Sequence, residues 1–166
     1  CTRSCAFCAV QSFQPLPVEA DEPERVAAAC ERMNLDFVVL TSVDRDDLSD
    51  KGAGHWAATI RAVRRRLPAA GIETLTPDFK GRRPHVEEVL AAEPTVFDHN
   101  LETCERLTRA IRSGNRYDRS LEVRAMTVTA VFINNRSQAI RLPAELRFPD
   151  RVKQVDVRAR GCERII

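Results

Sequence analysis

The sequence predicts an α/β fold, in which part of a β/α barrel with parallel strands is followed by a small β-rich segment. Two patterns carry this prediction: amphipathic helical stretches alternate with short apolar runs, and a polar cluster follows each apolar run. Alternation of this kind is typical of a parallel sheet with right-handed crossovers. A complete β/α barrel needs about 250 residues, whereas this chain has 166. We therefore expect an incomplete sheet of about three strands with exposed edges.

Four amphipathic helices are predicted before residue 126. The first opens at residues 21–24, where acidic residues fill the first turn and Pro23 lies near the first position. Apolar residues at helical spacing mark the second helix, namely Trp56, Ile60, Val63 and Leu67. The third begins near Pro84, and the fourth spans residues 101–111 before a Ser-Gly-Asn break.

Three short runs are predicted as strands, an apolar run at residues 37–40 and two further runs at 72–75 and 95–97. The first run is unbroken, which indicates a strand covered on both faces. Polar clusters follow the three runs at residues 41–47, 76–79 and 98–103. The carboxyl ends of parallel strands are where β/α folds place their binding side chains. A solvated acidic turn is the alternative interpretation of the first cluster.

The composition of the chain argues against a protein with membrane-spanning helices. Hydrophobic residues make up 43% of the chain and charged residues 30%, and no apolar run is long enough to cross a membrane. No leader precedes Cys1 and the first residue is not methionine, so we expect a segment that begins inside a longer reading frame.

The charge is distributed unevenly along the chain. Residues 1–125 hold 18 Lys and Arg against 20 Asp and Glu, whereas residues 126–166 hold 8 against 4. A basic tail suits a polyanionic partner, although it is also typical of a solvated face. An arginine run on the second helix is interpreted as a solvated face without a function: Arg61, Arg64, Arg65 and Arg66.

The first eight residues carry the strongest chemical signal, because Cys1, Cys5 and Cys8 follow C-x3-C-x2-C spacing. Three thiolates so close in sequence can bind one inorganic centre without help from the rest of the fold. On a [4Fe-4S] cluster they leave one iron free for a small molecule. Structural zinc usually takes four ligands from two such pairs, and no second pair follows within range. A disulfide cannot use three cysteines evenly.

The other three cysteines are interpreted as ordinary free thiols. Cys30 and Cys104 fall on apolar stripes of predicted helices, so we expect both in the core. Cys162 lies in a polar stretch near the end and is expected to be exposed. Free thiols indicate an intracellular protein, and we expect a cytoplasmic location.

The cysteine loop, with Phe7 directly before its third cysteine, resembles the cluster loop of radical S-adenosylmethionine (radical SAM) enzymes. In that family the open iron of a [4Fe-4S] cluster binds S-adenosyl-L-methionine, and an electron from the cluster cleaves it to a 5'-deoxyadenosyl radical. Four further segments occur in the same order as in lipoyl synthases and extend the resemblance over residues 1–123: 41–48, 75–79, 99–103 and 117–121. The resemblance implies sulfur insertion into an octanoyl chain carried by a lipoyl carrier domain.

The resemblance also implies roles for individual residues. The cluster would be held by Cys1, Cys5 and Cys8, and Phe7 would lie against it. Four residues after the strands would face the cluster and bind the amino group and ribose of the cofactor: Ser42, Asp44, Asn100 and Glu102.

The sequence also departs from the lipoyl synthase pattern. The family has a second cluster on three upstream cysteines and a serine ligand from the far end of the barrel, and neither occurs in this sequence. Ala9 stands where the family often has an acid. We therefore expect no sulfur insertion by this chain alone.

From Met126 the sequence resembles the start of VapB antitoxins, which are DNA-binding modules of the AbrB type. Strands are predicted around residues 128–132 and 152–157. The resemblance implies a homodimer that binds duplex DNA through Arg136, Gln138 and Arg141, whose side chains suit phosphates and base edges. The plainer alternative is a few unattached strands.

Three interpretations of the whole chain follow. The first is an enzyme segment similar to lipoyl synthase over residues 1–123. The second is a DNA-binding module at 126–166 fused to an inactive enzyme fragment. The third is a fused or truncated reading frame in which neither activity is intact.

Overall fold

Helices and strands alternate along the first three quarters of the chain. A computed structural model describes residues 1–126 in full and the backbone of four short segments, 132–134, 137–139, 158–160 and 163–165. The chain divides into two units, Cys1–Val128 and Thr129–Ile166. The elements of the first unit are α1 Glu22–Arg32, β1 Phe37–Thr41, α2 Ala53–Arg66, β2 Gly71–Leu75, α3 Arg83–Leu90, β3 Val96–Asp98, α4 Glu105–Ile111 and α5 Tyr117–Met126.

The three strands of the first unit form an open parallel sheet in the order β1-β2-β3. Val39 lies opposite Glu73, and Leu75 lies opposite Asp98. Because the strands are parallel and nearly in register, all three carboxyl ends reach the same edge of the sheet. The predicted α/β fold with a partial parallel barrel is confirmed.

One face of the sheet packs against the helices and forms the core. Val38, Leu40 and Ile72 are buried there. They pack among apolar side chains of α2 and α3, including Ile60, Val63, Val86 and Val89. Val86 and Val89 of α3 are fully buried, and Leu90 packs partly buried against the same core.

The other face of β1 is open. Phe37 is 46% exposed and Val39 is 57% exposed, and no element in the described part of the chain covers them. The prediction that β1 is covered on both faces is therefore wrong, because an apolar run does not reveal whether a second layer is present. The Phe37 ring lies over Gly71, where an added Cβ would come within 2.4 Å of the ring.

The segment after β3 departs most from the sequence prediction. α4 begins at Glu105, and Cys104 caps it with extended backbone and an exposed side chain. Placing Cys104 in the core was therefore wrong, whereas Cys30 is buried as predicted. The sequence did not reveal α5, because its inner face combines Val123 with a buried serine, Ser120, and such a face has little apolar periodicity.

The arginine run of α2 does more than face solvent. Arg65 pairs with Glu24 of α1, and Arg66 pairs with Glu31 at 2.8 Å. Arg64 donates to the carbonyl oxygen of Ala70 at 2.6 Å. The interpretation as a solvated face is therefore incomplete, because three of the four arginines contact neighbouring segments of the chain.

Two antiparallel strand pairs are described in the second unit. β4 Phe132–Asn134 pairs with β5 Ser137–Ala139, and β6 Arg158–Arg160 pairs with β7 Glu163–Ile165. Only Phe132 of the strand predicted at 128–132 is described, and the strand predicted at 152–157 lies outside the described residues, as does Cys162. Among the helices that the structure describes, none has the length and apolar character to span a bilayer.

Candidate cluster and cofactor site

The polar residues that follow the strands meet at one edge of the sheet. A depression of about 120 Å³ lies there. Its lining includes all four residues expected to bind the cofactor, Ser42, Asp44, Asn100 and Glu102, together with Thr76, His99 and Arg112. The sheet thus brings Ser42 and Glu102 together, although they are 60 residues apart in the sequence.

The cysteine loop lies across this edge and is fastened at two places. Thr2 donates its backbone N–H and its hydroxyl to the carbonyl oxygen of Asp44, both at 3.0 Å. The same hydroxyl accepts the N–H of Asp46 at 3.0 Å. Further along the loop, the N–H of Ala6 donates to the carbonyl oxygen of Ile111 at the end of α4. The loop therefore bridges the end of β1 and the end of α4.

Arg3, between the first two cysteines, is the centre of a buried ion network. Its side chain is 2% exposed. Its Nε donates to Asp46 at 2.7 Å, one terminal nitrogen donates to Asp46 and Asp78 at 2.8 and 2.7 Å, and the other approaches Asp44 at 3.0 Å. A buried guanidinium requires such partners, because an unpaired charge inside a protein is costly.

Further cations balance the carboxylates of this network. Arg119 of α5 pairs with Asp78 at 2.6 Å, and Lys80 pairs with Asp46 at 2.8 Å. The six ionised side chains, Arg3, Lys80, Arg119, Asp44, Asp46 and Asp78, therefore sum to zero charge. Sequence analysis placed Asp46 and Asp78 at strand ends but did not find Arg3 or Arg119. Their only signal was their position within two of the matching segments.

The carboxyl groups of the network differ in their pKa. Burial would raise the pKa of Asp46, but hydrogen bonds from Arg3 and Lys80 lower it to about 2. The pKa of Asp78 is also lowered, because Arg3 and Arg119 outweigh the effect of burial. In contrast, burial raises the pKa of Asp44, and repulsion from Asp78 and Asp46 adds to this increase despite the Arg3 charge.

A left-handed turn supports the middle of the network. Phe79, Lys80 and Gly81 have φ angles of 44°, 56° and 71°, which is unusual for a bulky residue. Asp78 accepts the N–H of Lys80 at 3.0 Å, and the Phe79 ring is 1% exposed. The turn thereby holds Asp78 and Lys80 on the network while it buries the aromatic ring.

The three loop thiols are free, with Cys1 and Cys5 half-buried and Cys8 exposed. No group of three His, Cys, Asp or Glu side chains in the described residues converges on a single metal ion. A four-iron cluster makes no such demand, because each thiolate binds a different iron. Three thiols on one anchored loop are the donor set that such a cluster takes, so the residues fit it.

Burial and the nearby Asp44 carboxylate raise the pKa of the Cys5 thiol. Iron binding would therefore displace a proton from this group. Phe7 is 56% exposed and is not among the residues that line the depression.

The predicted cofactor residues make short-range contacts of their own. Ser42 accepts the indole N–H of Trp56 at 3.0 Å. The Asn100 amide donates to Glu102 at 2.9 Å in an exposed position. Glu102 and Asn100 are thus accessible to a ligand, whereas Asp44 already has Arg3 as a partner.

A buried histidine in the lining of the depression lies in a polar cluster that the sequence indicated, but sequence analysis assigned it no role. His99 is 2% exposed and lies between the carbonyl oxygen of Thr76 and the hydroxyl of Ser120, at 2.8 and 2.9 Å. Arg112 donates to that hydroxyl and to the carbonyl oxygens of Asn100 and Leu101. These contacts fix the backbone of the Asn100–Glu102 turn, and burial lowers the pKa of His99.

A larger cavity of about 550 Å³ lies on the other side of the β1 end. It is bordered by Cys1, the 10–19 loop and the first turns of α1 and α2, with Leu16, Val18 and Trp56 among its apolar residues. His55 and Glu22 meet at 2.7 Å on its rim.

The residues expected to contact DNA are not placed in a site. Arg136 and Arg141 lie outside the described residues, and Gln138 is described only as part of strand β5.

Comparison with known proteins bears on both units. A profile of the Radical SAM superfamily matches residues 1–126. The chain is 42% identical over 163 residues to the lipoyl synthase of Acidothermus cellulolyticus, an alignment that covers 98% of this chain and 50% of the relative. It is 51% identical over 123 residues to the lipoyl synthase of Bacteroides thetaiotaomicron, covering 74% and 44%, and 54% identical over 123 residues to that of Symbiobacterium thermophilum, covering 74% and 38%.

The chain therefore spans half or less of the length of these curated relatives. The alignment with the Acidothermus protein reaches most of residues 126–166, and none of these similarities supports the antitoxin interpretation of that segment. The similarity to lipoyl synthases extends over 123 to 163 residues of the chain in these three comparisons. Since the superfamily profile spans the cysteine loop, the parallel sheet and the helices around it, the chain belongs to the radical SAM superfamily.

Proposed function

We propose that this chain is the cluster-binding and S-adenosylmethionine-binding part of a lipoyl synthase. The observation that carries the proposal is the cysteine loop, which is fastened to the sheet edge where Asn100 and Glu102 lie accessible in the depression. Similarity to lipoyl synthases supports it. When bound, the cluster supplies the electron that cleaves S-adenosylmethionine.

Different residues of this chain would bind the cluster and S-adenosylmethionine. Cys1, Cys5 and Cys8 supply the three thiolates. Glu102 and Asn100 offer a carboxylate and an amide to the amino group and ribose hydroxyls of the cofactor. The depression of about 120 Å³ is smaller than a whole ligand site of about 300 Å³ or more, so it takes one polar end of the cofactor.

The reaction we propose for the whole protein is sulfur insertion into an octanoyl chain on a lipoyl carrier domain, as part of lipoate biosynthesis. The free thiols on the loop suit a reducing compartment, and we propose the cytoplasm.

Anaerobic reconstitution with iron and sulfide tests the cluster. We expect the wild-type chain to gain the absorption of a [4Fe-4S] cluster and the Cys5→Ala variant to lose it, because two thiolates are too few. Cys104→Ala is the matched control, since Cys104 is an exposed thiol outside the loop. Equal iron content in the Cys5→Ala and wild-type chains would refute the proposal.

Binding of S-adenosylmethionine to the reconstituted chain tests the depression. Glu102→Gln should weaken binding by roughly 10-fold or more, because a hydrogen bond to a charged group contributes about 1.5–3 kcal/mol. Glu105→Gln, three residues away on α4 and outside the depression, is the control. Equilibrium dialysis with labelled cofactor measures the dissociation constants, and equal values for the two variants would remove Glu102 from the site.

A further inference from the structure

The Arg3 guanidinium donates hydrogen bonds from all three of its nitrogens. Its Nε–H and one N–H of a terminal nitrogen bind the two oxygens of Asp46, and the second N–H of that nitrogen binds Asp78. The other terminal nitrogen donates to the side-chain oxygen of Asn115 at 2.6 Å and approaches Asp44 at 3.0 Å. Three side chains thus accept four hydrogen bonds from Arg3, and Asp44 is a further ion-pair partner. A planar, forked guanidinium suits this arrangement.

The partners of Arg3 come from three separate parts of the fold. Asp44 and Asp46 follow β1, Asp78 follows β2, and Asn115 lies in the connection between α4 and α5. This connection passes close to the arginine, because an added Cβ at Gly114 would lie 3.3 Å from Cδ of Arg3. Gly114 also has a φ of 75°, a conformation that favours glycine. The glycine at position 114 therefore leaves room for the Arg3 side chain.

The same contacts lead on to the loop thiols. The backbone N–H of Arg3 donates to the Cys1 sulfur at 3.4 Å. Asn115 accepts from Arg3 with its oxygen and directs its amide nitrogen to the Cys5 sulfur at 3.9 Å and to the carbonyl oxygen of Ser113 at 3.3 Å. A continuous chain of contacts therefore runs from the strand ends through Arg3 and Asn115 to Cys5.

We propose that Arg3 and Asn115 are positioning residues that set the place and orientation of the Cys5 thiol, and hence the geometry of the site formed by the three loop cysteines. The inference rests on the proposed function only in taking these thiols as cluster ligands. Partners behind a metal ligand generally orient it, and their loss typically costs 10- to 100-fold in metal affinity.

Lysine cannot replace Arg3 in this role. Its ammonium keeps the positive charge but is a single point with three donors, so it cannot hold Asp46, Asp78 and Asn115 together. Arg3→Lys therefore keeps the positive charge but removes the contacts that hold the partners in position. Asn115→Ala removes the contact to Cys5 and leaves the ion pairs of Arg3 with the three aspartates in place.

Thiol alkylation of the full iron-free chain tests the inference without any cluster. Under native conditions, iodoacetamide labelling followed by mass spectrometry gives a separate rate for each cysteine. We expect Arg3→Lys and Asn115→Ala to raise the Cys5 rate by about 10-fold. Cys30, which is 5% exposed, reports global unfolding and should stay protected. Arg61→Lys, at an exposed position on α2, is the control and should change neither rate.

Cluster retention gives the second measurement. After reconstitution, iron release to a chelator should be about 10-fold faster in Asn115→Ala than in wild type, and the electron paramagnetic resonance signal of the reduced cluster should broaden. Should Arg3→Lys lose protection of Cys30 and thus unfold, Asn115→Ala decides the question by itself.

Wild-type rates for both Cys5 labelling and iron release in a folded Asn115→Ala chain would overturn the inference. A chain that shows the labelling result but takes up no iron would overturn the proposed function and still support the positioning of Cys5, so the two failures are distinguishable.

Discussion

Two sets of arginine–carboxylate pairs lie in the same unit, and they differ in almost every physical respect. At the strand ends, the Arg3 and Asp78 side chains are 2% and 0% exposed and 2.7 Å apart. Between α1 and α2, Arg66 and Glu31 are 37% and 50% exposed and 2.8 Å apart. Nearly equal distances thus hide a large difference in solvation.

The difference shows that distance alone does not measure what an ion pair contributes. Exposed pairs are screened by water and salt, so many contribute nothing measurable. Ions in the buried set have lost most of their water, and each depends on its partners to offset that loss. Removing one member should therefore unbalance the buried set, whereas the α1–α2 pairs should tolerate the same change.

Asp78→Asn should have the largest effect on stability. The substitution leaves Arg3 and Arg119 without their shared carboxylate, and breaking a buried pair in this way costs about 3–5 kcal/mol. The unfolding free energy from urea titration measures the loss. Asp118→Asn is the matched control, because Asp118 also pairs with an arginine, Arg116, but on the surface. Similar losses of unfolding free energy in the two variants would show that buried and exposed pairs contribute equally to stability.

Two of the three histidines, His99 and His55, extend the comparison to pH. His99 is buried as a neutral ring with a lowered pKa, so the unfolded chain binds the extra proton first. Its contribution to stability is complete above the unfolded pKa of about 6.5. It is lost as the pH falls from that value towards the folded pKa, by up to about 1.4 kcal/mol per pH unit.

His99→Gln should remove this dependence, and His55→Gln should keep it. The His55 side chain is 26% exposed and pairs with Glu22 on the surface. Urea titrations between pH 5 and 8 in steps of about half a unit measure the slope. An unchanged slope in His99→Gln would assign the proton uptake to another group.

The smallest effect is expected for Glu24→Gln. Glu24 contacts both Arg65 and Arg66 of α2, and hydrogen bonds from Arg65 lower its pKa, but the group is in water. We expect no resolvable change in the unfolding midpoint, in low salt or in 0.5 M NaCl (about 4 Å screening length). A loss comparable with that of Asp78→Asn would show that the α1–α2 pairs act as a cooperative network.

Much of the first unit could be predicted because its elements repeat a simple pattern. The α1, α2 and α3 helices have apolar residues at helical spacing, and β1 is a short apolar run followed by a polar cluster, so their positions follow from the sequence. The missed element, α5, packs a serine inward beneath His99, and polar residues on an inner face leave no periodic signal. The exposure of Phe37 and Val39 follows from the absence of a second layer over β1 in the described part of the chain, and the residues of β1 themselves do not indicate it.

The candidate site also has one part that the sequence predicts and another that it does not. Spacing indicates the three cysteines, and the strand ends indicate Ser42 and Asp44. The contact between Arg3 and Asp78 joins residues 75 positions apart, and charged residues in a polar segment are typical of a solvated turn as well. Only the fold shows that Arg3 points inward, so the network was beyond the reach of sequence patterns.

The left-handed turn at Phe79 places two demands on one residue. Glycine would relieve a backbone conformation that costs on the order of 1–3 kcal/mol, whereas loss of the ring from its buried position would cost about 3–5 kcal/mol. The ring outweighs the strain, so the position tolerates a residue that local conformational preference disfavours. Substitutions at this position are therefore limited in two ways. Small residues would leave a cavity in the core, and β-branched residues would increase the backbone strain.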